Sequence, residues 1–237
     1  MSASLKPARS PSKLPPLQNG DRLTRDEFER RYHAMPHVTK AELIEGEVHM
    51  PSPVSCVYHG APHADVIGWL FNYRASTPGT TAADNATVRL DLDNELQPDA
   101  VLFVRPECGG RVEFDADGYL SGSPEFVFEV SASTAAIDLN RKLNVYRRNS
   151  VSEYVVWRVY DEAVDWFVFR NEQFERHSPD ADGLLKSTFF PGLWLDPAAL
   201  VRGDAATVLA ALARGIASPE HAAFAALLAS RRTTTTG

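Results

Sequence analysis

The chain has 237 residues, 24 basic against 31 acidic, for a formal net charge of −7. At 44% hydrophobic and 23% charged it is too apolar for global disorder, and its acidity argues against histone-like coating of nucleic acid. No uninterrupted apolar stretch approaches the roughly 20 residues of a membrane span, no apolar signal region opens the chain, and two cysteines, Cys56 and Cys108, cannot form a disulfide framework. The expectation is a cytoplasmic protein without membrane contact, large enough for a single substantial core.

Residues 1–20 are rich in Ser, Pro and Lys and read as a disordered tail. Thr24 and Glu27 have the spacing of a capping box, opening a helix that runs through Tyr32 and ends before Pro36. Residues 43–48 predict a hairpin turning at Glu45-Gly46. From Pro62 to Arg74 the period is helical, with Val66, Ile67, Leu70, Phe71 and Tyr73 on one face. Val88, Leu90 and Leu92 alternate with charged residues, as in a half-buried strand. Residues 100–104 form a continuous apolar strand entered through Pro98-Asp99, and 125–130 a second, apolar on both faces and so central in its sheet.

Residues 137–149 are helical again and 153–159 return as a strand. The segments 164–170 and 173–177 complete a β-meander turning at Asn171-Glu172. Two short Ala- and Leu-rich helices fill 197–230, and 231–237 read as a second tail. The fold class is therefore α/β or α+β around a mixed sheet. The expected division is a tail (1–20), one domain (21–196), a C-terminal helical appendage (197–230) and a tail (231–237).

Several catalytic signatures are missing: no G-x-S-x-G elbow, no phosphate-binding G-x-x-x-x-G-K-S/T, no G-x-G-x-x-G and no H-E-x-x-H. What stands out is Glu129, set among Phe126, Val127, Phe128 and Val130. A carboxylate buried without a partner costs several kcal/mol, so Glu129 wants a cation. Asp99 opens the preceding apolar strand. If the two strands pair, the acids converge, and with a main-chain carbonyl such as that of Val130 they make a hard oxygen site for Mg²⁺ or Mn²⁺. The alternative is an arginine partner, Arg105 or Arg158.

Lys142 lies about 60° from Leu139 on a helical wheel, at the edge of the core face, from where it can reach Glu129. A simple ion pair with Asp138, four residues earlier, is the competing reading. Arg141 and Arg148 point the other way, toward solvent. Together with Arg147 and Lys142 they make this helix the best place for phosphate contacts. Cys56, His59 and His63 have a C-x2-H-x3-H spacing, but no fourth ligand follows and Pro62 interrupts them, so zinc is not expected. Trp157 and Trp166 fall in strand patterns and read as core.

These features occur in a recognisable order. Glu42-Leu43-Ile44-Glu45-Gly46-Glu47 comes first, then Ser52-Pro53 ahead of His59, Gln97-Pro98-Asp99-Ala100-Val101, Phe128-Glu129-Val130 and Asp138 to Lys142. Val151-Ser152-Glu153-Tyr154, Phe190-Pro191-Gly192-Leu193-Trp194 and Ser218-Pro219-Glu220-His221 extend the series. Over residues 23–228 the chain resembles the family described as “putative restriction endonuclease”, in the PD-(D/E)XK nuclease superfamily. The resemblance implies a restriction-endonuclease-like core, a mixed sheet flanked by helices. It implies Asp99 and Glu129 as metal ligands, Mg²⁺ or Mn²⁺ as cofactor, and DNA as substrate, cut by a homodimer. The superfamily lysine two residues after Glu129 is Ser131 here. The resemblance implies that Lys142 on the following helix takes its place and makes Glu42 a candidate outer ligand or water-positioning acid, the competing reading being a surface residue beside the hairpin. His59 matches a position the family often fills with histidine. The alternative, favoured by Ser131 and the net charge, is a catalytically inactive nuclease-fold protein that acts as a nucleic-acid-binding or interaction module.

Overall fold

A computed structural model describes residues 14–51 and 53–234. Helix α1 (Arg25–His33) starts where Thr24 accepts a hydrogen bond from the Glu27 backbone N–H, as the capping spacing requires. The hairpin β1 (Glu42–Ile44) and β2 (Glu47–His49) turns at Glu45 and Gly46, both at positive φ. A π-helical turn, Cys56–Gly60, runs straight into α2 (Ala61–Ser76). Four strands follow: β3 (Thr80–Asp84), β4 (Val88–Asp91), β5 (Asn94–Leu96) and β6 (Ala100–Val104). The short pair β7 (Glu113–Phe114) and β8 (Leu120–Ser121) precedes β9 (Phe126–Ser131).

A crossover returns the chain from β9 to the parallel β10 (Glu153–Arg158). It is one continuous helical stretch with α3 (Ala135–Ile137), a π-helical segment Asp138–Lys142 and α4 (Leu143–Arg148). The meander is β11 (Ala163–Arg170) and β12 (Gln173–His177), and β13 (Leu185–Lys186) pairs with β14 (Trp194–Leu195). Helices α5 (Pro197–Val201), α6 (Ala205–Ile216) and α7 (Pro219–Thr234) end the described chain.

Two six-stranded sheets result, ordered β2-β1-β5-β4-β8-β7 and β12-β11-β10-β9-β6-β3. Both are mixed: β9 runs parallel to β10 and antiparallel to β6, and β4 runs parallel to β8. The apolar strands divide by the period of two. Ala100, Leu102, Phe126 and Phe128 face a core with Trp69, Leu70, Trp166 and Phe190. Val101, Phe103 and Val127 face another with Val145, Tyr146 and Tyr154. Strand β9, buried along its whole length, is central as its sequence demanded.

The expected boundaries shift at both ends. Residues 1–13 of the first tail lie outside the described residues, but Leu17 is buried with Phe28, Ala41, Leu43 and Val48, and the Gly20 N–H donates to the Val48 carbonyl. At the other end α7 continues past Arg231 to Thr234, and residues 235–237 lie outside the described residues. The C-terminal helices share the main core: Leu200, Val208, Leu212 and Leu228 pack in the cluster that holds Trp69 and Phe190.

Candidate metal and acid centre

The antiparallel register of β6 and β9 sets Ala100 opposite Phe128, so Asp99 and Glu129 meet one step further on. The Asp99 N–H lies 3.4 Å from Glu129 Oε2, and the Val130 N–H donates to Asp99 Oδ2 at 2.7 Å. Both acids are almost fully buried. The convergence inferred from strand order is therefore present.

Lys142 closes the group. Its ammonium donates to Glu129 Oε1 at 2.9 Å and lies 3.1 Å from Glu42 Oε1 and 3.6 Å from Asp138 Oδ1. Tyr146 adds a hydroxyl donor to Glu129 Oε1 at 3.3 Å, and the Gln97 N–H holds Glu42 Oε1 at 2.8 Å. Glu129 thus takes Lys142, and Lys142 keeps Asp138 as a weaker third partner. Neither arginine alternative is used: Arg105 Nε donates to Thr81, and Arg158 pairs with Asp161 and Asp165. Ser131, at the position of the superfamily lysine, is buried and shares a 3.3 Å hydrogen bond with Thr134.

Electrostatics follow from this crowding. Burial, with Asp99 adding repulsion and Lys142 opposing both, pushes Glu129 up to about 8. For Asp99 burial acts upward but loses to the His59 hydrogen bond and the Lys40 charge, which bring it down to about 2. Lys142 is held well above its ordinary range: burial works against its charge, and Glu129, Glu42 and Asp138 overcome it. Three buried carboxylates (Glu42, Glu129 and Asp138) face one buried ammonium, an excess of negative charge that a proton or a further cation must offset, while Asp99 beside them is met by Lys40 and His59.

The donor set fits a divalent ion. Among the described residues, Asp99 Oδ1 has only long contacts, 3.4 Å to His59 Nε2 and 3.6 Å to Lys40 Nζ, and Glu129 Oε2 has only the 3.4 Å contact from the Asp99 N–H. Each acid therefore keeps one oxygen weakly engaged while the other is held firmly. The Val130 carbonyl accepts from His59 Nδ1 at 2.8 Å and retains a second lone pair.

His59 and His63 join this centre, in a way that their spacing hinted at but did not complete. His59, His63 and Asp99 offer ligand atoms within 4.8 Å of one another. Donation from His59 Nδ1–H to a carbonyl is the arrangement that orients an imidazole for metal binding through Nε2. Contact with Asp99 also raises the His59 pKa. His63 Nε2 lies 2.8 Å from the Asp99 carbonyl and 3.0 Å from Asp84 Oδ1. Cys56 is exposed and takes no part, so the third member of this cluster is an acid from a distant strand entry rather than the thiol. Lys40, 3.6 Å from Asp99, carries no local sequence signal at all.

One expectation for the crossover helix fails. Arg141 is not solvated: it reaches Glu45, Glu47, His49 and the Ile44 carbonyl on the β1–β2 hairpin. Arg148 stays exposed, as expected, while pairing with Glu45, and Arg147 donates to the Glu172 carbonyl. The π-helical segment is wider than an α-turn, so an ideal helical wheel misplaces Arg141.

Comparison with known proteins agrees with this fold. A crystal structure of a “putative nuclease belonging to DUF820” from Anabaena variabilis matches with a TM-score of 0.52 at 14% identity, covering 73% of this chain and 97% of that one. At that identity the likeness speaks for the fold. No curated protein matches. The family model Uma2, described as “Putative restriction endonuclease”, matches residues 25–198, most of the described chain, and the protein belongs to that family.

Proposed function

We propose that the protein is a divalent-cation-dependent endonuclease that hydrolyses phosphodiester bonds of DNA. The observation that carries this reading is the buried meeting of Asp99 and Glu129, with Lys142 2.9 Å from the latter. Asp99, Glu129 and the Val130 carbonyl would hold Mg²⁺ or Mn²⁺, with His59 alongside. The bound ion supplies Lewis acidity toward the scissile phosphate and lowers the pKa of an attacking water.

The chain's own residues do the rest. The Val130 N–H fixes one oxygen of Asp99, and Lys142 with Tyr146 fixes one of Glu129, so each acid turns its other oxygen toward a ligand. Lys142 also favours the ionised form of Glu129 and contributes positive potential where phosphoryl charge grows. Glu42, held by the Gln97 N–H, is placed to orient water. A second reading, an inactive nuclease-fold interaction module, draws on Ser131 and on the enclosure of Lys142 by three carboxylates.

Nicking of supercoiled plasmid with Mg²⁺ or Mn²⁺ decides between them. The native chain is expected to nick, and Asp99→Ala and Glu129→Ala are each expected to lose at least a hundredfold in rate. Nicking that survives both substitutions, or a native chain that cleaves neither plasmid nor single-stranded DNA with either ion, overturns the endonuclease reading.

A further inference from the structure

We infer that the acid centre acts on an unpaired strand whose bases stack on an exposed tyrosine pair, Tyr58 and Tyr160; the inference rests on the nuclease reading. Tyr58 lies in the π-helical turn Cys56–Gly60, one residue before His59, the side chain that touches both Asp99 and the Val130 carbonyl. Its ring meets that of Tyr160 with centroids 4.9 Å apart, and the two residues are 45% and 59% exposed. Tyr160 follows β10, where Arg158 stands opposite Ser131 and the Val159 N–H donates to the Ser131 carbonyl. The pair therefore bridges the His59 turn and the end of β9 from which Glu129 and Val130 enter the centre. Val54 and Val57, 64% and 69% exposed, continue the same segment. An apolar, aromatic surface at the edge of a polar centre marks a place of contact.

Charge selects the occupant. A duplex presents about one phosphate charge per 1.7 Å and is gripped by uncommitted lysines and arginines. Around this centre the cations are committed: Lys40 to Asp99 and Asn85, Arg141 to Glu45 and Glu47, Arg148 to Glu45, and Lys142 to three carboxylates. Stacking on aromatic rings adds a sequence-independent hold on unpaired bases, so a single strand leans less than a duplex on free cations. Bases paired within a duplex cannot offer their faces in this way.

The test is fluorescence anisotropy with a labelled 20-nucleotide single strand and the matching blunt duplex, in Ca²⁺ buffer, with plasmid and single-strand cleavage in Mn²⁺ run in parallel. The native chain is expected to bind the single strand at least tenfold more tightly than the duplex. Tyr58→Ala and Tyr160→Ala are expected to weaken single-strand binding about tenfold, the size of one lost stack, while Tyr58→Phe and Tyr160→Phe retain it. Equal or tighter duplex binding, untouched by either alanine variant, overturns the inference. If cleavage still depends on Asp99 in that case, the nuclease reading stands. Self-association that the alanine variants abolish, with oligonucleotide binding unchanged, assigns the patch to a second copy of the chain and likewise overturns it. No binding and no cleavage of any oligonucleotide by the native chain overturns both.

Discussion

Lys142 reaches Glu129 as its position on the helix allows, and it is more deeply enclosed than that position alone implies. The helical period put it at the core boundary; it is buried against three acids. Removing a buried partner leaves the remaining charges uncompensated, a loss of about 3–5 kcal/mol. Lys142→Met is therefore expected to lower the urea midpoint strongly. Adding Glu129→Gln should recover part of the loss. An unchanged midpoint in the single variant would show that the acids do not depend on the ammonium.

Glu95 offers a pH test away from the proposed metal ligands. Burial, reinforced by the hydrogen-bonded Glu29 and opposed by Arg89, pushes it up from 4.5 to about 8. The folded chain thus holds a proton there that the unfolded chain releases near 4.5. The resulting stability is complete below about pH 4.5 and is lost as pH rises through about 8. Glu95→Gln, which keeps the shape without the titration, should flatten the stability profile between pH 5 and 8 by on the order of 1–3 kcal/mol. Chemical denaturation at several pH values checks this, and a profile as steep as that of the native chain would refute it.

At the scale of elements, the two π-helical turns are the informative irregularities. One places His59 and the other Lys142, so both deliver a side chain to the acid centre. Such widened turns cost regular helical hydrogen bonding and are found often at functional sites. Helix α6 shows the opposite case, regular structure limited by contact. A Cβ on Gly215 would lie 2.2 Å from the Gly192 carbonyl oxygen, whereas Gly68 in α2 has nothing within 4 Å of its Cβ position. Helix propensity alone favours alanine at both by about 1 kcal/mol. Gly68→Ala is expected to raise the melting temperature and Gly215→Ala to lower it, by the equivalent of about 1–3 kcal/mol of overpacking. The same sign at both positions would mean that α6 does not pack as described.

For the whole molecule, the question is whether α5–α7 stand apart. Leu200, Val208, Leu212 and Leu228 fill the cluster around Trp69, and the buried Thr77 hydroxyl lies 2.9 Å from His221 Nε2. A chain ending at residue 196 should therefore lose its near-UV circular dichroism and bind a hydrophobic dye. A cooperative melt like that of the intact protein would restore the helices to an appendage.

Local chemistry announced much of this. Capping at Thr24, the Glu45-Gly46 turn and the apolar strands 100–104 and 125–130 follow from short-range sterics and the burial period, which neighbours in sequence specify. The ordered motif series placed Asp99, Glu129 and Lys142 at one centre, since a carboxylate among phenylalanines demands compensation wherever the chain goes. Only tertiary structure brought His59, His63 and Lys40 to Asp99, turned Arg141 onto the hairpin and packed the C-terminal helices into the core. Those outcomes depend on the register of β6 against β9, on two locally widened helical turns and on contacts more than a hundred residues apart. None of these leaves a periodic trace, because the partners meet through space and not along the chain.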